Sequence, residues 1–296
     1  MKKLLSAKED DFKREVEILK RVSRDPHDHL ITLLATYQYR GSYYLIFPWA
    51  GGDLVMFWKT QTLHCDKNTA RWLAEQCQGL ASGLAEIHGY KTTPTDSITP
   101  LGKEGKRTTM RFCRHGDIKP GNILWFPSPE DQDKTNGTLK ISDFGTAEFT
   151  AQKHGPHKVR APGTRMYQPP EAHPGVTNLV IGPSYDVWGL GCIYLEFITW
   201  FLGGWQYVEQ FLDRRLEHDN IFYEFGTARF FAVVSDETTG GFRPMIKQSV
   251  LEVSIVFSDP YHGAFSNAAN FPCVPLHAPS RLAQVGLSAV SHTLGI

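Results

Sequence analysis

The sequence has no excess of charge of either sign, no closely spaced cysteine pair and no long uninterrupted apolar run. Its 31 lysines and arginines balance 31 aspartates and glutamates, so nothing favours a nucleic-acid or anionic-membrane partner. The five cysteines are odd in number and never form a C-x-x-C pair. This pattern predicts reduced thiols in an intracellular, cytoplasmic protein.

The two stretches that most resemble a signal peptide or a membrane span lack the features that either one needs. The start, MKKLLSAKEDD, turns acidic before an apolar region can form, which argues against a signal peptide. The apolar stretch 189–205 is interrupted by Glu196 and by glycines, and it is short for a membrane span. We therefore predict a buried core helix there and no membrane partner.

Apolar spacing predicts a small lobe that contains β structure, joined to a larger and mostly helical lobe. Residues 9–22 show the spacing of an amphipathic helix, and 30–39 with 43–47 predict a β-hairpin. Residues 68–88 and 184–202 predict two long helices. The chain is thus of the α+β class.

The remaining stretches give weaker patterns. We predict an irregular loop at 90–111 and short strands at 122–126 and 139–142. Recurrent Gly and Pro predict loop with little regular structure at 143–183, and weak helical patterns continue to about 255.

The stretch HGDIKPGNILWF places a carboxylate, an ammonium group and an amide just ahead of a predicted strand. Taken alone, this triplet is a weak signal, because Asp117 is also typical of a turn and Asn122 of a cap before a strand. Asp143 follows the next predicted strand, so Asn122 and Asp143 are expected to offer oxygen ligands to one cleft, as Mg²⁺ bound to phosphate requires. Asp117 would then accept a proton from an attacking hydroxyl, and Lys119 would neutralise charge on a transferred phosphoryl group.

Four motifs occur in the order typical of eukaryotic-type protein kinases. The catalytic-loop motif H-R-D-x-K-x-x-N appears as HGDIKPGN at 115–122 and D-F-G at 143–145. The end of the activation segment appears as GTRMYQPPE at 163–171, and the start of the central helix as DVWGLG at 186–191. The chain resembles this family over most of its length and is most similar to kinase-like proteins of filamentous fungi. The resemblance implies a bilobal protein-kinase-like fold.

The resemblance also implies an activity, transfer of the γ-phosphoryl group of Mg-ATP to a Ser or Thr hydroxyl of a protein substrate. Asp117 would be the base, Lys119 would stabilise charge, and Asn122 and Asp143 would hold Mg²⁺. Lys119 and Thr164 bring the resemblance closer to Ser/Thr than to Tyr kinases.

Five further positions would form the nucleotide site by the same resemblance. Glu15 matches the helix glutamate that pairs with a strand lysine, although a solvated helix charge is an equal interpretation. Phe47 matches the residue that controls access behind the adenine, and Trp49 and Ala50 match the hinge that binds the base. Asp53 resembles a ribose-contacting residue and equally predicts a helix N-cap.

The chain departs from the family at its beginning. There is no Gly-rich phosphate loop, so we expect an N-terminally truncated kinase domain with a partial small lobe at 1–50 and impaired activity. Lys2 or Lys3 would have to be the strand lysine, and without neighbouring strands we expect neither to be held in place. The large lobe is predicted at 51–255 and an irregular segment at 256–296.

Two other departures concern regulation and folding. Gly116 replaces the Arg of H-R-D, so control by phosphorylation of the activation segment is not expected. Glu171 would pair with a C-terminal arginine, either Arg243 or Arg281. Two alternative functions stay open: a small-molecule kinase of the aminoglycoside or choline type, which has H-G-D but lacks a GTRMYQPPE segment, and a catalytically silent kinase-like scaffold.

Overall fold

The computed structural model describes most of the chain up to Ser258. The described residues are 1–4, 9–62, 66–89, 111–128, 137–151, 161–173, 182–216, 227–236 and 240–258. All but the last residue of the predicted loop at 90–111 lies outside them, as does most of the predicted irregular segment at 256–296.

A three-stranded antiparallel sheet forms the N-terminal part of the fold. Its strands are β1 (Lys2–Lys3), β2 (Ala35–Tyr39) and β3 (Ser42–Ile46), in the order β1-β3-β2. The turn between β2 and β3 falls at Arg40 and Gly41, which both have positive φ, as a two-residue hairpin turn requires. The predicted hairpin is therefore present, although its first strand begins at residue 35 and not at residue 30.

Helix α1 (Glu9–Arg24) packs against this sheet, with the ring of Phe12 stacked on that of Tyr43 at 4.3 Å between centroids. Acidic residues in its first turn and arginines in its last turn suit the helix dipole. Its inward face is apolar except for Glu15, which is 5% exposed. A carboxylate buried to this extent needs a partner.

Helices make up most of the larger lobe. They are α2 (Leu54–Thr60), α3 (Lys67–Gly89), α4 (Ser184–Leu216) and α5 (Gln248–Ser258). The two long helices predicted from apolar spacing are thus present as α3 and α4. The predicted end near residue 202 coincides with a break in α4, where the backbone leaves helical geometry at Gly203 and Gly204, and a second helical stretch then continues to Leu216.

Short strands place the two polar motifs side by side. They are β4 (Gly52–Asp53), β5 (Arg111–Arg114), β6 (Ile123–Pro127), β7 (Gly137–Ile141) and β8 (Glu148–Ala151). Strands β6 and β7 are antiparallel with Ile123 opposite Ile141, so the residues before β6 and those after β7 meet at the same end of this strand pair. Asn122 and Asp143 come together in this way.

Two segments of the large lobe contain strands that were not predicted. The described part of 143–183 has little regular structure, as predicted, except for strand β8, which gains backbone partners from β5, far away in sequence. The weak helical pattern before residue 255 includes a β-hairpin, β9 (Phe231–Asp236) with β10 (Gly241–Ile246). Its strands contain Val233, Val234 and Phe242, residue types that favour a pleated surface.

Aromatic side chains fill the core of the large lobe. The ring of Phe57 lies 5.3 Å from those of Trp72, Trp125 and Trp200. Burial of each such ring contributes about 1.5–3 kcal/mol. By length and composition α4 could cross a membrane, but 67% of its most apolar window is buried inside the protein, as expected of a core helix.

Candidate active site

The loop that carries Asp117 is fixed by a buried carboxylate on α4. Asp186, which is 1% exposed, accepts hydrogen bonds from the backbone N–H groups of His115 (2.8 Å) and Gly116 (2.7 Å). Its Oδ2 also lies 2.9 Å from Nε2 of His88. These partners offset the cost of burying the carboxylate. The first turn of α4 therefore sets the backbone position of the loop.

Gly116 stands where the family pattern has an arginine, and the backbone explains why glycine suits the position. Its φ is +84°, a conformation that side chains disfavour. A Cβ there would lie 3.0 Å from the carbonyl oxygen of Thr146. The backbone at this position therefore favours glycine, and the expectation that phosphorylation of the activation segment does not control the protein stays a prediction.

Asp117 accepts hydrogen bonds from four donors. Its Oδ1 accepts from the backbone N–H (2.8 Å) and the hydroxyl (3.0 Å) of Thr164. Its Oδ2 accepts from Nζ of Lys119 at 2.7 Å and from Nδ2 of Asn122 at 3.1 Å. Lys119 also donates to the Thr164 hydroxyl at 2.8 Å. The orientation of the carboxylate is thus fixed from both sides.

Asn122 and Asp143 each keep one oxygen atom outside the hydrogen bonds of the described residues. Asn122 uses its amide nitrogen, which donates to the carbonyl of Asp117 at 2.8 Å and to its Oδ2. Asp143 accepts on Oδ1, from Lys2 and from the N–H of Gly145. One amide and one carboxylate oxygen suit Mg²⁺ shared with phosphate groups. Within the described ranges, no cluster of three or more His, Cys, Asp or Glu side chains could hold a metal alone.

The structure corrects the expectation that neither Lys2 nor Lys3 would be held in place. Strand β1 has only two residues, yet it pairs with β3, and the strand alternation sends the two side chains to opposite faces. Nζ of Lys2 lies 2.7 Å from Oε1 of Glu15 and 2.8 Å from Oδ1 of Asp143. The ammonium group of Lys3 lies instead 6.0 Å from the ring centre of Tyr44. The structure therefore places Lys2 in the strand-lysine position.

The charges of Lys2, Glu15 and Asp143 shift one another's pKa values. Burial alone would lower the pKa of Lys2, but the Glu15 and Asp143 carboxylates outweigh it and raise that pKa. Burial would raise the pKa of Asp143, but its hydrogen bond with Lys2 and the charge of Lys2 lower it. Burial dominates at Glu15 and raises its pKa. Of the two carboxylates that contact Lys2, Glu15 is therefore the first to take up a proton in acid.

The predicted nucleotide-binding residues after β3 lie where the chain passes from the small sheet to α2. Phe47 is half-buried and packs against the core, whereas Trp49 is 91% exposed. Ala50 follows and is half-buried. Asp53 caps α2, since its Oδ1 accepts from the N–H of Met56 at 2.8 Å. The cap interpretation of Asp53 is confirmed, and no described contact joins these four residues to Asp117 or Asp143.

Several side chains that order the site were missed in the sequence. His88 contacts Asp186, and Gln168 donates through Nε2 to the carbonyl of Pro162 at 2.9 Å. The Tyr185 hydroxyl donates to the same carbonyl at 2.5 Å. The sequence offered a signal for two of these residues, because Gln168 lies inside GTRMYQPPE and Tyr185 directly precedes DVWGLG.

Burial lowers the pKa values of two histidines near the site, His115 and His29. His115 is fully buried, with Nε2 2.9 Å from the carbonyl of Ser142 and Nδ1 accepting from the N–H of Asp117 at 3.3 Å. Nδ1 of His29 lies 2.8 Å from the carbonyl of Leu139. The neutral ring of His115 uses both nitrogens, so an added proton would oppose the Asp117 N–H.

We expect the protein to lose stability as the pH falls below about 6.5. Both histidines have a folded pKa below the value of about 6.5 in unfolded chains, so the unfolded state binds protons first. Their contribution is complete above that pH and is lost as the pH falls through the lowered folded values. Thermal unfolding followed by circular dichroism should give a declining Tm, with a shallower decline in His29→Gln, which keeps an N–H donor for Leu139. A Tm that rises on acidification contradicts the assignment.

The fold is the bilobal α+β arrangement predicted from the motifs, and comparisons with known proteins agree. The model of the protein kinase domain family matches residues 1–203. The chain is 28% identical over 201 residues to Cyclin-dependent kinase 7 of Dictyostelium discoideum, which covers 67% of this chain and 45% of that protein. It is 28% identical over 187 residues to Serine/threonine-protein kinase crk1 of Schizosaccharomyces pombe, covering 62% and 44%.

A third relative is Cyclin-dependent kinase B2-2 of Arabidopsis thaliana, 29% identical over 196 residues, which covers 63% of this chain and 50% of that protein. The chain thus spans half or less of the length of each of these relatives. Because the family model matches well over half of it, the chain belongs to the protein kinase domain family. The specific likeness to filamentous-fungal proteins stays a prediction.

Proposed function

We propose that the chain is an intracellular kinase that transfers the γ-phosphoryl group of Mg-ATP to a Ser or Thr hydroxyl of a protein. The observation that carries the proposal is the double set of contacts across the cleft. On one side Lys2 joins Glu15 to Asp143, and on the other Asp117 is bound by Lys119 and Thr164. The first set suits phosphate binding and the second suits an attacking hydroxyl.

Each polar side chain then has a role in the proposed transfer. Asp117 accepts the proton of the attacking hydroxyl, and Lys119 stabilises negative charge that moves onto the transferred group. Lys2 contacts the phosphates of ATP. The free oxygens of Asn122 and Asp143 would hold Mg²⁺, which when bound would neutralise charge on the phosphates.

The nucleotide base would lie along the stretch after β3. We assign the adenine to the backbone of Trp49 and Ala50, with Phe47 behind it, and the ribose to the Asp53 oxygen that does not cap α2. The 91% exposure of Trp49 supports a contact made through its backbone and not through its side chain.

The contacts of Lys2 speak against the silent-scaffold alternative, because a scaffold has no need for an ammonium group between two carboxylates. The ordered Thr164 speaks against a small-molecule kinase, because its segment GTRMYQPPE serves peptide positioning in the family that the chain resembles. The protein-kinase interpretation is therefore preferred to both.

We expect Asp143→Asn to weaken Mg²⁺-dependent binding of ATP about 10- to 100-fold, or ~1.4–2.7 kcal/mol. Asn tolerates the positive φ of 65° at this position, so the loss reports the missing carboxylate charge and not backbone strain. Isothermal titration with ATP, with and without Mg²⁺, measures the effect.

The exposed Asp213→Asn on α4 serves as the matched control and should bind Mg-ATP like the unmodified chain. If Asp143→Asn binds Mg-ATP as tightly as this control does, Asp143 is not a metal ligand. If the unmodified chain itself does not bind Mg-ATP, the scaffold alternative replaces the proposed function.

A further inference from the structure

Strand β2 forms an open edge of the small sheet. In the strand order β1-β3-β2 it pairs with β3 on one side, and among the described residues no strand pairs with its other side. All five of its residues, ATYQY, are exposed. Tyr37 and Tyr39 in the strand and Leu34 directly before it are large apolar side chains that stand exposed here. An exposed apolar patch on an unpaired edge marks a place where another strand can add.

The hydrogen bonds of the sheet determine which backbone groups of β2 are free. The N–H of Leu4 donates to the carbonyl of Tyr43 at 3.0 Å, so the backbone polar groups of Tyr43 point towards β1. This direction alternates along a strand, so those of Tyr44 point towards β2, where its partner is Tyr37. Tyr37 thus bonds to β3, and the backbone groups of its two sequence neighbours point away from the sheet.

A second copy of β2 fits this edge about a two-fold axis at Tyr37. In an antiparallel pair centred there, Thr36 of each copy lies opposite Gln38 of the other. These are the two residues whose N–H and C=O groups point outwards, so each such pair can exchange both of its hydrogen bonds. Ala35 lies opposite Tyr39 in the same register, a small side chain against a large one. The strand is therefore complementary to itself.

The aromatic side chains of the small sheet match across the same axis. Tyr37 stacks on Tyr44 with 4.7 Å between ring centres and an interplanar angle of 5°. At the axis, Tyr37 would face Tyr37 of the second copy in a non-hydrogen-bonded pair, the type in which opposing side chains lie closest. The stacked rings of both copies would then form one row across the contact. Aromatic cross-strand pairs of this kind stabilise a sheet.

Charge favours a second copy over a partner of either sign. Residues 30–39 contain no charged side chain, so a charged partner finds no complement and two copies bring no like charges together. The next charge along the chain is Arg40, and the two copies of Arg40 would lie about 20 Å apart, where salt screens them. Strand β10, by contrast, contains Arg243 and Pro244, residue types that keep edge strands unpaired. Strand β2 has no such protection.

We propose that two copies of the chain associate through their β2 strands, paired antiparallel about a two-fold axis at Tyr37. The two three-stranded sheets then join into one continuous sheet. The contact involves few residues of each copy, so we expect a weak dimer with a dissociation constant on the order of 10 μM. The inference goes beyond the proposed function and does not depend on it, because the pairing requires neither ATP nor phosphoryl transfer.

Sedimentation equilibrium with charge variants at the axis tests the pairing. Tyr37→Lys and Tyr37→Glu each set like charges opposite each other, so each variant alone should dimerise about tenfold more weakly than the unmodified chain. An equal mixture of the two variants sets Lys opposite Glu and should regain the dimer. Phe242→Lys, at an exposed aromatic residue of β10, is the matched control and should dimerise like the unmodified chain. A mixture that stays monomeric, or a dimer that only Phe242→Lys weakens, would overturn the proposal.

Hydrogen exchange of the unmodified chain locates the contact without any variant. Exchange of the Thr36 and Gln38 amides should slow as the protein concentration rises through the dissociation constant, because these N–H groups would bond across the axis. Exchange of the Tyr37 amide, which bonds to β3, should not change.

Three results contradict the pairing. The unmodified chain may stay monomeric at about ten times the expected dissociation constant, which would leave the β2 edge to a different partner. It may dimerise without protecting the Thr36 and Gln38 amides, which would place the contact elsewhere. It may assemble beyond the dimer, which a closed two-fold contact does not allow.

Discussion

Asp117→Asn is expected to slow phosphoryl transfer about 10²- to 10⁴-fold, the range that a positioned general base contributes. The amide has nearly the size of the carboxylate, but it cannot accept a proton from the attacking hydroxyl. Its NH2 group would stand where Oδ2 now accepts from Lys119 and Asn122, so three hydrogen-bond donors would face one another there. The amide oxygen of the new Asn can still accept both hydrogen bonds from Thr164.

Two measurements on Asp117→Asn separate chemistry from binding. A quench assay with labelled ATP gives the transfer rate, and titration calorimetry gives the Kd for Mg-ATP, which should stay within about twofold because Asp117 contacts no proposed nucleotide group. The same change at exposed Asp213 should alter neither quantity. Transfer within about tenfold of the unmodified rate in Asp117→Asn would remove Asp117 as the base.

Lys2→Met is expected to lower kcat/KM for ATP on the order of 100-fold, or ~2.7 kcal/mol. Lys2 is the only cation that the described contacts place between Glu15 and Asp143, and we propose that it binds the phosphates. Met matches the length of the lysine stem and removes the charge. Buried Glu15 would then lack its partner and take up a proton, which limits the loss of stability to about 1–3 kcal/mol.

Lys3→Met is the control for Lys2→Met, because the two lysines are neighbours on one short strand but point to opposite faces. It should leave the kinetics with ATP unchanged. Steady-state rates over a range of ATP concentrations, together with thermal unfolding of both variants, separate catalysis from folding. Equal loss of kcat/KM in the two variants would show that β1 matters as a strand and that Lys2 has no special role.

The contrast between Lys2 and Lys3 shows a part of the site that could not be predicted from the sequence. The motifs placed Asp117, Asn122 and Asp143 in one cleft, because each motif lies beside a strand with a clear apolar pattern. A two-residue strand has no such pattern. Its position depends on backbone pairing with β3, 40 or more residues away, and the choice between the two lysines follows from the side of that strand each occupies.

Glu196 and Arg215 show a second limit of the same kind. In the sequence Glu196 was only an interruption in an apolar helix, and no partner was predicted for it. Its hydrogen bond with Arg215, 2.7 Å long, depends on backbone angles at Gly203 and Gly204, which bring distant parts of one helix together. Spacing rules for a straight helix cannot express such a contact.

The most direct test of the central claim is phosphoamino-acid analysis of a generic protein substrate incubated with this chain, Mg²⁺ and γ-labelled ATP. The account predicts label on serine or threonine, and none when Asp117→Asn replaces the unmodified chain. A chain that binds Mg-ATP yet labels no protein residue, or labels it equally with Asn at position 117, would contradict the account.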